Sequence, residues 1–235
     1  MRDEIRSERN ASNADLVILF SGGRDSSLAV CKLASHEKNL ILMNCLNGTT
    51  IGTDVIQTRY RDLKERFPSR IKDFVQVPIF GLFRTLAISQ LERDLKCYKT
   101  CLVCLGCKMA AHTHAIIFCI ENDIKVIADG YNQYQSGDFM EQRPEAIEIM
   151  KNFSAEYGIL YINPVYDYKN KKEVKYALYD YGISTKSLEG TCIFGDSYST
   201  PDRKDIISYI TERLQICRNF IKERTAPGII YSFPP

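Results

Sequence analysis

The sequence predicts an α/β fold: a parallel sheet of five or slightly more strands with helices on both faces. Three observations carry this. Short apolar runs alternate with amphipathic segments through most of the 235 residues. The runs are nearly continuous, as strands buried on both faces require, instead of switching between apolar and polar at every residue. Glycine or proline closes many of the segments, so the alternation is punctuated where elements end.

In chain order, residues 1–14 are polar and read as a frayed or capping segment. Leu16 to Phe20 is the first strand, and the helical pattern Leu28-Ala-Val-Cys-Lys-Leu-Ala follows a glycine turn. Asn39 to Asn47 is the second strand and Gly48 to Gly52 a turn. Val55, Ile56, Tyr60, Leu63 and Phe67 recur near helical spacing, and Pro68 stops that helix. Asp73 to Phe80 is the third strand; a helix from Gly81 leads into a cysteine cluster. Lys108 to Asn122 is a helix whose stripe is Met109, Thr113, Ile116, Ile117 and Ile120. Lys125 to Asp129 is the fourth strand, ending at Gly130, and Tyr131 to Arg143 reads as a loop. Pro144, well placed in a first turn, opens a helix through Tyr157. Ile159 to Tyr166 is the fifth strand. A helix over 170–181 follows, then an irregular stretch over 183–199 and a final helix over 202–224. Ligands of such sheets sit beyond the carboxyl ends of the strands. That gathers Ser21–Ser27, Asn44–Asn47 and Asp129–Asn132 around one crevice.

Composition is that of a globular protein, 45% apolar and 26% charged, and the length suits one domain over 1–235. No apolar run approaches the length of a membrane span, and the charged start is unlike a signal peptide, so the expectation is a cytoplasmic protein with no membrane partner. A net charge of +2 gives no overall basic field for nucleic acid. Local clusters remain as possible RNA contacts: Arg59, Arg61 and Lys64, and the run Lys169 to Lys172. A homodimer is compatible with a domain of this kind.

Chemistry concentrates at two places. The first is Ser21-Gly22-Gly23-Arg24-Asp25-Ser26-Ser27, between the first strand and a helix start. Glycines let backbone approach an anion, and free N–H groups of the first helical turn point at it. Ser21, Ser26 and Ser27 add hydroxyl donors. Asp25 does not suit phosphate alone, so it implies Mg²⁺ or a capping role. The second is Cys101-Leu-Val-Cys104-Leu-Gly-Cys107, three of nine cysteines, with Cys97 before them and Cys192 far downstream. In a chain with no secretion signal, such clustering points to metal, iron–sulfur or redox use in place of disulfides.

The Ser-Gly-Gly-x-Asp-Ser motif after a first strand resembles the PP-loop of the ATP pyrophosphatase (adenine nucleotide alpha-hydrolase-like) superfamily. The resemblance implies a Rossmann-like, HUP-type sheet and an enzyme that adenylates a carbonyl oxygen and releases pyrophosphate. ATP would lie on Phe20, Ser21, Gly22, Gly23, Arg24, Asp25, Ser26 and Ser27, with Asn44, Cys45 and Gly130 nearby and Mg²⁺ at Asp25. Cys101 and Cys104, answered by Cys192, resemble the tRNA 2-thiocytidine and 2-thiouridine synthetases, which hold a [4Fe–4S] cluster on three cysteines. The implied reaction is thiolation of a tRNA base or small heterocycle, with sulfur from sulfide or a persulfide carrier. Asp25, Cys107 and Lys108 are the catalytic candidates.

Departures leave alternatives open. Cys107 is one thiol more than the pattern needs, so Cys101, Cys104, Cys107 and Cys192 could instead close a Zn²⁺ site, as in an amide- or nitrile-forming ligase similar to 7-cyano-7-deazaguanine synthase. Gly130-Tyr131-Asn132 stands where the thiocytidine group has Gly-His-His-x-x-Asp, which leaves Asp129 or Asp138 to supply the acid. Arg143 is a candidate phosphate clamp, and Glu189 an acid/base group or a loop-ordering one. A nucleotide sensor without turnover is the non-enzymatic alternative.

Overall fold

The computed structural model describes residues 14–36, 38–195 and 200–226; the polar start and the last part of the irregular stretch, 196–199, lie outside them. The strands among the described residues are β1 (Leu16–Leu19), β2 (Leu40–Leu46), β3 (Thr50–Ile51), β4 (Ile71–Pro78), β5 (Val126–Ala128), β6 (Leu160–Ile162) and β7 (Thr191–Cys192). Five of them form the expected parallel sheet, in the order β4-β2-β1-β5-β6. β3 and β7 pair antiparallel, Thr50 opposite Cys192 and Ile51 opposite Thr191. Both lie where the sequence reads as turn or irregular: two-residue strands are too short to show a period.

β1 shows why the sheet is covered twice. Leu16, Ile18 and Phe20 enter one apolar cluster, with residues of α1 (Arg24–Ser35), α2 (Val55–Arg66) and α7 (Lys171–Asp180). Val17 enters the other, with α5 (Val103–Glu121), α6 (Pro144–Ala155) and α8 (Arg203–Thr225). All four β1 and post-β1 side chains named are buried, each contributing about 1.5–3 kcal/mol of transfer free energy.

Helix starts differ from the sequence reading. α1 begins at Arg24, so Asp25, Ser26 and Ser27 are its first turn. α5 begins at Val103 and not Lys108, which puts Cys104 and Cys107 on its first two turns. Its buried face is wider than the predicted stripe: Ala110, His112, His114 and Ala115 are buried, whereas Ile120 is 38% exposed. By length and hydropathy α5 could cross a membrane, contrary to the expectation that no run is long enough, yet 78% of its apolar window is buried in the fold. It is the core helix between the sheet and α8, apolar nearly all round because it is enclosed.

The entry to α5 is built on a wide helical turn. α3 (Phe80–Phe83) runs into a π-helical segment at Arg84–Ile88, and α4 (Leu91–Tyr98) follows. The Leu86 carbonyl accepts hydrogen bonds from Tyr209 Oη at 3.0 Å and Arg213 Nε at 2.8 Å, both on α8. Arg213 Nη2 also reaches both oxygens of buried Asp94, at 2.7 and 2.6 Å. Gly106 lets α5 approach this segment: a Cβ there would lie 2.7 Å from Ala87 Cβ and 2.8 Å from Tyr209 Oη. Breaking the buried pair leaves an uncompensated charge. Asp94→Ala should therefore lower unfolding free energy by about 3–5 kcal/mol in urea titrations, while the double variant Asp94→Leu/Arg213→Met recovers most of the loss. A loss of under about 1 kcal/mol, that of an exposed pair, would contradict this role.

Candidate active site

The chain moves from β1 outward to β2 and β4 on one side, and from β5 to β6 on the other. The switch between neighbours β1 and β5 is where open α/β sheets leave a crevice. A cavity of about 400 Å³ lies there. Its lining brings together Phe20, Ser21, Gly23, Asp25 and Ser26; Asn44, Cys45 and Asn47; Cys104, Cys107 and Lys108; Asp129 and Gly130; and Glu189 and Cys192. The site expected from sequence is thus largely gathered. Gly22, Arg24, Ser27 and Cys101 do not line it.

Those exceptions have local causes. Gly22 has φ +80°, and a Cβ there would overlap the Leu188 carbonyl, so it seats the 188–189 segment against the loop. Leu188 N donates to the Gly22 carbonyl at 3.2 Å. Ser27 is fully buried and its hydroxyl donates to the Gly23 carbonyl at 2.6 Å, a bond four residues back within the helix start; it is no phosphate donor as placed. Ser21 and Ser26 hydroxyls stand 3.2 Å apart at the cavity wall. Gly130 passes directly over Ser26 N, where any Cβ would collide, so the end of β5 and the first turn of α1 close on each other. Asn44 turns its amide to the Phe20 carbonyl at 3.0 Å and steadies the loop from below.

Two carboxylates face the loop. Asp25 accepts from Tyr134 Oη at 3.2 Å and Gln135 Nε2 at 3.4 Å. Burial raises its carboxyl above the ordinary carboxylate value, opposed by the Tyr134 bond and assisted by Glu189. Glu189 accepts from Ser187 Oγ at 2.6 Å and from Ser21 Oγ at 3.4 Å.

Lys108 is held and not free. Its Nζ lies 2.6 Å from Asp129 Oδ2 and 2.7 Å from Tyr161 Oη, and 4.1 Å from the centre of the Tyr131 ring. Tyr161 Oη also donates to Asp129. Asn163 Nδ2 at 2.7 Å and Tyr131 N at 3.0 Å satisfy the other Asp129 oxygen. Of the two carboxylates the sequence leaves open, Asp129 lines the cavity and Asp138 does not.

The thiols divide. Cys107 Sγ receives Asn47 Nδ2 at 3.4 Å, and Cys192 Sγ is 3.3 Å from Thr49 Oγ1. Burial pushes the Cys107 thiol up to about 11 and Cys45 to about 12, and raises Cys104 further. Among the described residues no three His, Cys, Asp or Glu side chains converge on one point that could hold a metal ion. Cys104, Cys107 and Cys192 line the cavity, whereas Cys101 packs at the edge of the core outside it. Sequence spacing cannot show which way each thiol faces at a helix start; that is why four read as one set.

Other candidates resolve as structure. Arg143 donates to the Pro201 carbonyl at 2.6 Å and pairs with Glu145 at 2.7 Å, so it fastens the approach to α8 and is no phosphate clamp. His112 bonds Ser154 Oγ at 2.6 Å in the core, and His114 Nδ1 is 2.8 Å from the Ala110 carbonyl. Asn47 and Tyr131, within the ranges expected around the crevice, line the cavity, as do Gln135 and Glu141, which the sequence does not single out. The latter two come from 131–142, a segment without period whose only signal is its place after the fourth sheet-forming strand. Burial raises the Glu141 carboxyl as well.

These two raised carboxyls have a consequence for stability. Above their ordinary values, 3.8 for Asp25 and 4.5 for Glu141, the folded chain binds more protons than the unfolded one. Stability is therefore highest below those values and is lost as pH rises through the raised ones. Thermal midpoints of ligand-free protein between about pH 4 and pH 7 should fall less steeply for Asp25→Asn and Glu141→Gln than for the parent. Equal slopes in all three would contradict the assignment.

No protein-family profile matches the chain, and no curated protein matches it. Among solved structures, it is similar to NMN synthetase from Francisella tularensis, at 13% identity and a TM-score of 0.53, over 97% of this chain and 93% of that one. A predicted subunit of tRNA methyltransferase from Methanocaldococcus jannaschii aligns at 16% identity with a TM-score of 0.43, over 80% of this chain and 95% of that one. Identities this low speak to fold alone. What the chain shares is the α/β arrangement, a five-stranded parallel sheet flanked by helices.

Proposed function

We propose that the chain is an ATP-dependent adenylating enzyme that activates a carbonyl oxygen, releases pyrophosphate, and then replaces that oxygen with sulfur. One observation carries this reading: the glycine loop and the thiols of Cys104, Cys107 and Cys192 line a single cavity.

The chain's groups fit the first step. Ser21 and Ser26, with the N–H groups at the start of α1, form a corner for phosphate oxygens. Asp25 and Glu189 beside that corner would repel a triphosphate, so they fit as the residues that hold Mg²⁺, which would supply charge neutralisation. The substrate oxygen attacks the α-phosphorus, the bond to the β-phosphate bridging oxygen breaks, and pyrophosphate leaves. Preformed donors at the loop stabilise the charge that develops.

The second step uses sulfur as nucleophile. With sulfide as donor, a C–S bond forms, the C–O bond breaks, and AMP departs. With a persulfide on one cysteine, its outer sulfur forms the C–S bond as AMP departs; a second thiol among Cys104, Cys107 and Cys192 then attacks the inner sulfur, releasing the thiolated product and leaving a disulfide between the two cysteines that an external thiol reductant reduces. The substrate is a tRNA base or a small heterocycle. Steep loss of turnover with salt would mark the first.

The test supplies MgATP, a ³⁵S-labelled persulfide donor and either bulk tRNA or a heterocycle pool. The parent should incorporate label. Cys107→Ser should lower incorporation by about 100-fold or more while pyrophosphate release continues, because the two steps use different groups. Asp25→Asn should lower both by a similar factor. Unchanged incorporation in Cys104→Ser, Cys107→Ser and Cys192→Ser alike would remove the sulfur step from the account.

A further inference from the structure

Of the two basic clusters in the sequence, the structure keeps one open to solvent. Arg59 is fully buried and donates to the Lys186 carbonyl, and Lys64 Nζ donates to the Pro68 and Ile71 carbonyls, so two of that cluster's three cations are committed inside the chain. The run Lys169 to Lys172 continues instead onto α7, where Lys175, Tyr176 and Tyr179 join it. Buried Val174 and Leu178 hold one side of this helix in the core with α1. The other side carries Tyr176 and Tyr179, which are 69% and 75% exposed. At 3.6 residues per turn, Lys172, Lys175, Tyr176 and Tyr179 fall within about 100° of the helix surface, each tyrosine one turn after a lysine. Glu173 and Asp180 lie outside that span. The Glu173 carboxylate is also engaged, accepting from Lys169 N at 2.9 Å and Asn170 Nδ2 at 2.7 Å in the cap of the helix. Among the described residues no carboxylate pairs with Lys171, Lys172 or Lys175.

We propose that this face of α7 is a docking surface for single-stranded RNA. Flat bases and charged phosphates alternate along such a strand, and the face alternates ring and ammonium at one-turn spacing. Bases stack on Tyr176 and Tyr179, while Lys172 and Lys175, with Lys169 and Lys171 at the helix start, meet the phosphates. A net charge of only +2 is no obstacle, because charges beyond about 8–10 Å are screened and the neutralisation is local. A second copy of the chain fits this face poorly: a two-fold contact would set one set of lysines against the other. An acidic peptide would answer the lysines and leave the rings without a partner. None of these α7 side chains lines the cavity. The surface therefore goes beyond the adenylation reading and does not depend on it.

The test is fluorescence anisotropy of a labelled single-stranded RNA of mixed sequence with the full chain, without ATP, over a series of salt concentrations. Binding by the parent should weaken with salt, log affinity falling by about 0.7 per neutralised phosphate for each log unit of salt. Tyr176→Ala and Tyr179→Ala should each weaken binding about fivefold or more and leave that slope unchanged. The double variant Lys172→Gln/Lys175→Gln should weaken binding and reduce the slope by about 1.4. Lys96→Gln, which alters an exposed lysine on α4, should bind as the parent does. Thermal midpoints of all variants should match the parent's, since every substituted side chain is exposed. Absence of binding by the parent at low salt overturns the proposal, as does parent-like affinity in both tyrosine variants or an equal loss in Lys96→Gln. Displacement of the RNA by poly-glutamate, with no effect of the tyrosines, would assign the face to an acidic protein and overturn it as well. Because no ATP is present, failure here leaves the adenylation reading standing.

Discussion

The arrangement of the cavity depends on one buried ion pair. Lys108 Nζ and Asp129 Oδ2 lie 2.6 Å apart, with side chains only 4% and 3% exposed. Burying two charges costs several kcal/mol per ion unless geometry and further hydrogen bonds compensate. Here they do: Tyr161, Asn163 and the Tyr131 amide complete the shell of Asp129, and the Tyr131 and Tyr161 rings lie 4.1 and 4.6 Å from the ammonium. The pair ties the second turn of α5 to the end of β5. It thereby fixes the helix that carries Cys104 and Cys107 relative to Gly130, which itself closes on Ser26.

From that joint the two halves of the chemistry are set against each other. On one side, Gly22 and Gly23 leave room for the 188–189 segment, and Glu189 comes beside Ser21. Gly190 passes against Thr50 and Ile51, where a Cβ would lie 2.6 Å from Thr50 Cγ2. The β3–β7 pairing then delivers Cys192 to the cavity from a distant part of the chain. On the other side, Gly106 lets α5 settle on the wide turn at Arg84–Ile88, which is held in turn by Tyr209 and Arg213. Glycines at these few points act as spacers that decide where thiols and hydroxyls face.

What the sequence discloses follows from how far each signal reaches. The parallel sheet and the corner after Phe20 are local patterns, five apolar residues and a Ser-Gly-Gly turn, and both appear where expected. The inward turn of Ser27 and the outlying place of Cys101 are matters of side-chain direction, which the spacing of three thiols does not encode. β3 and β7 form only because two distant dipeptides meet. Glu141 is illegible for a related reason: its segment has no period, and its place on the cavity wall is visible only once the cavity is assembled.

The central claim is that the Ser21–Ser26 corner directs attack at the α-phosphorus of ATP. Phosphorus NMR of MgATP turned over by the intact chain, in the presence of bulk tRNA or a heterocycle pool and sulfide, reads this without ambiguity. The account predicts AMP and pyrophosphate in equal amounts. Accumulation of ADP and inorganic phosphate instead would mean that the γ-phosphorus is the electrophile, and would contradict it.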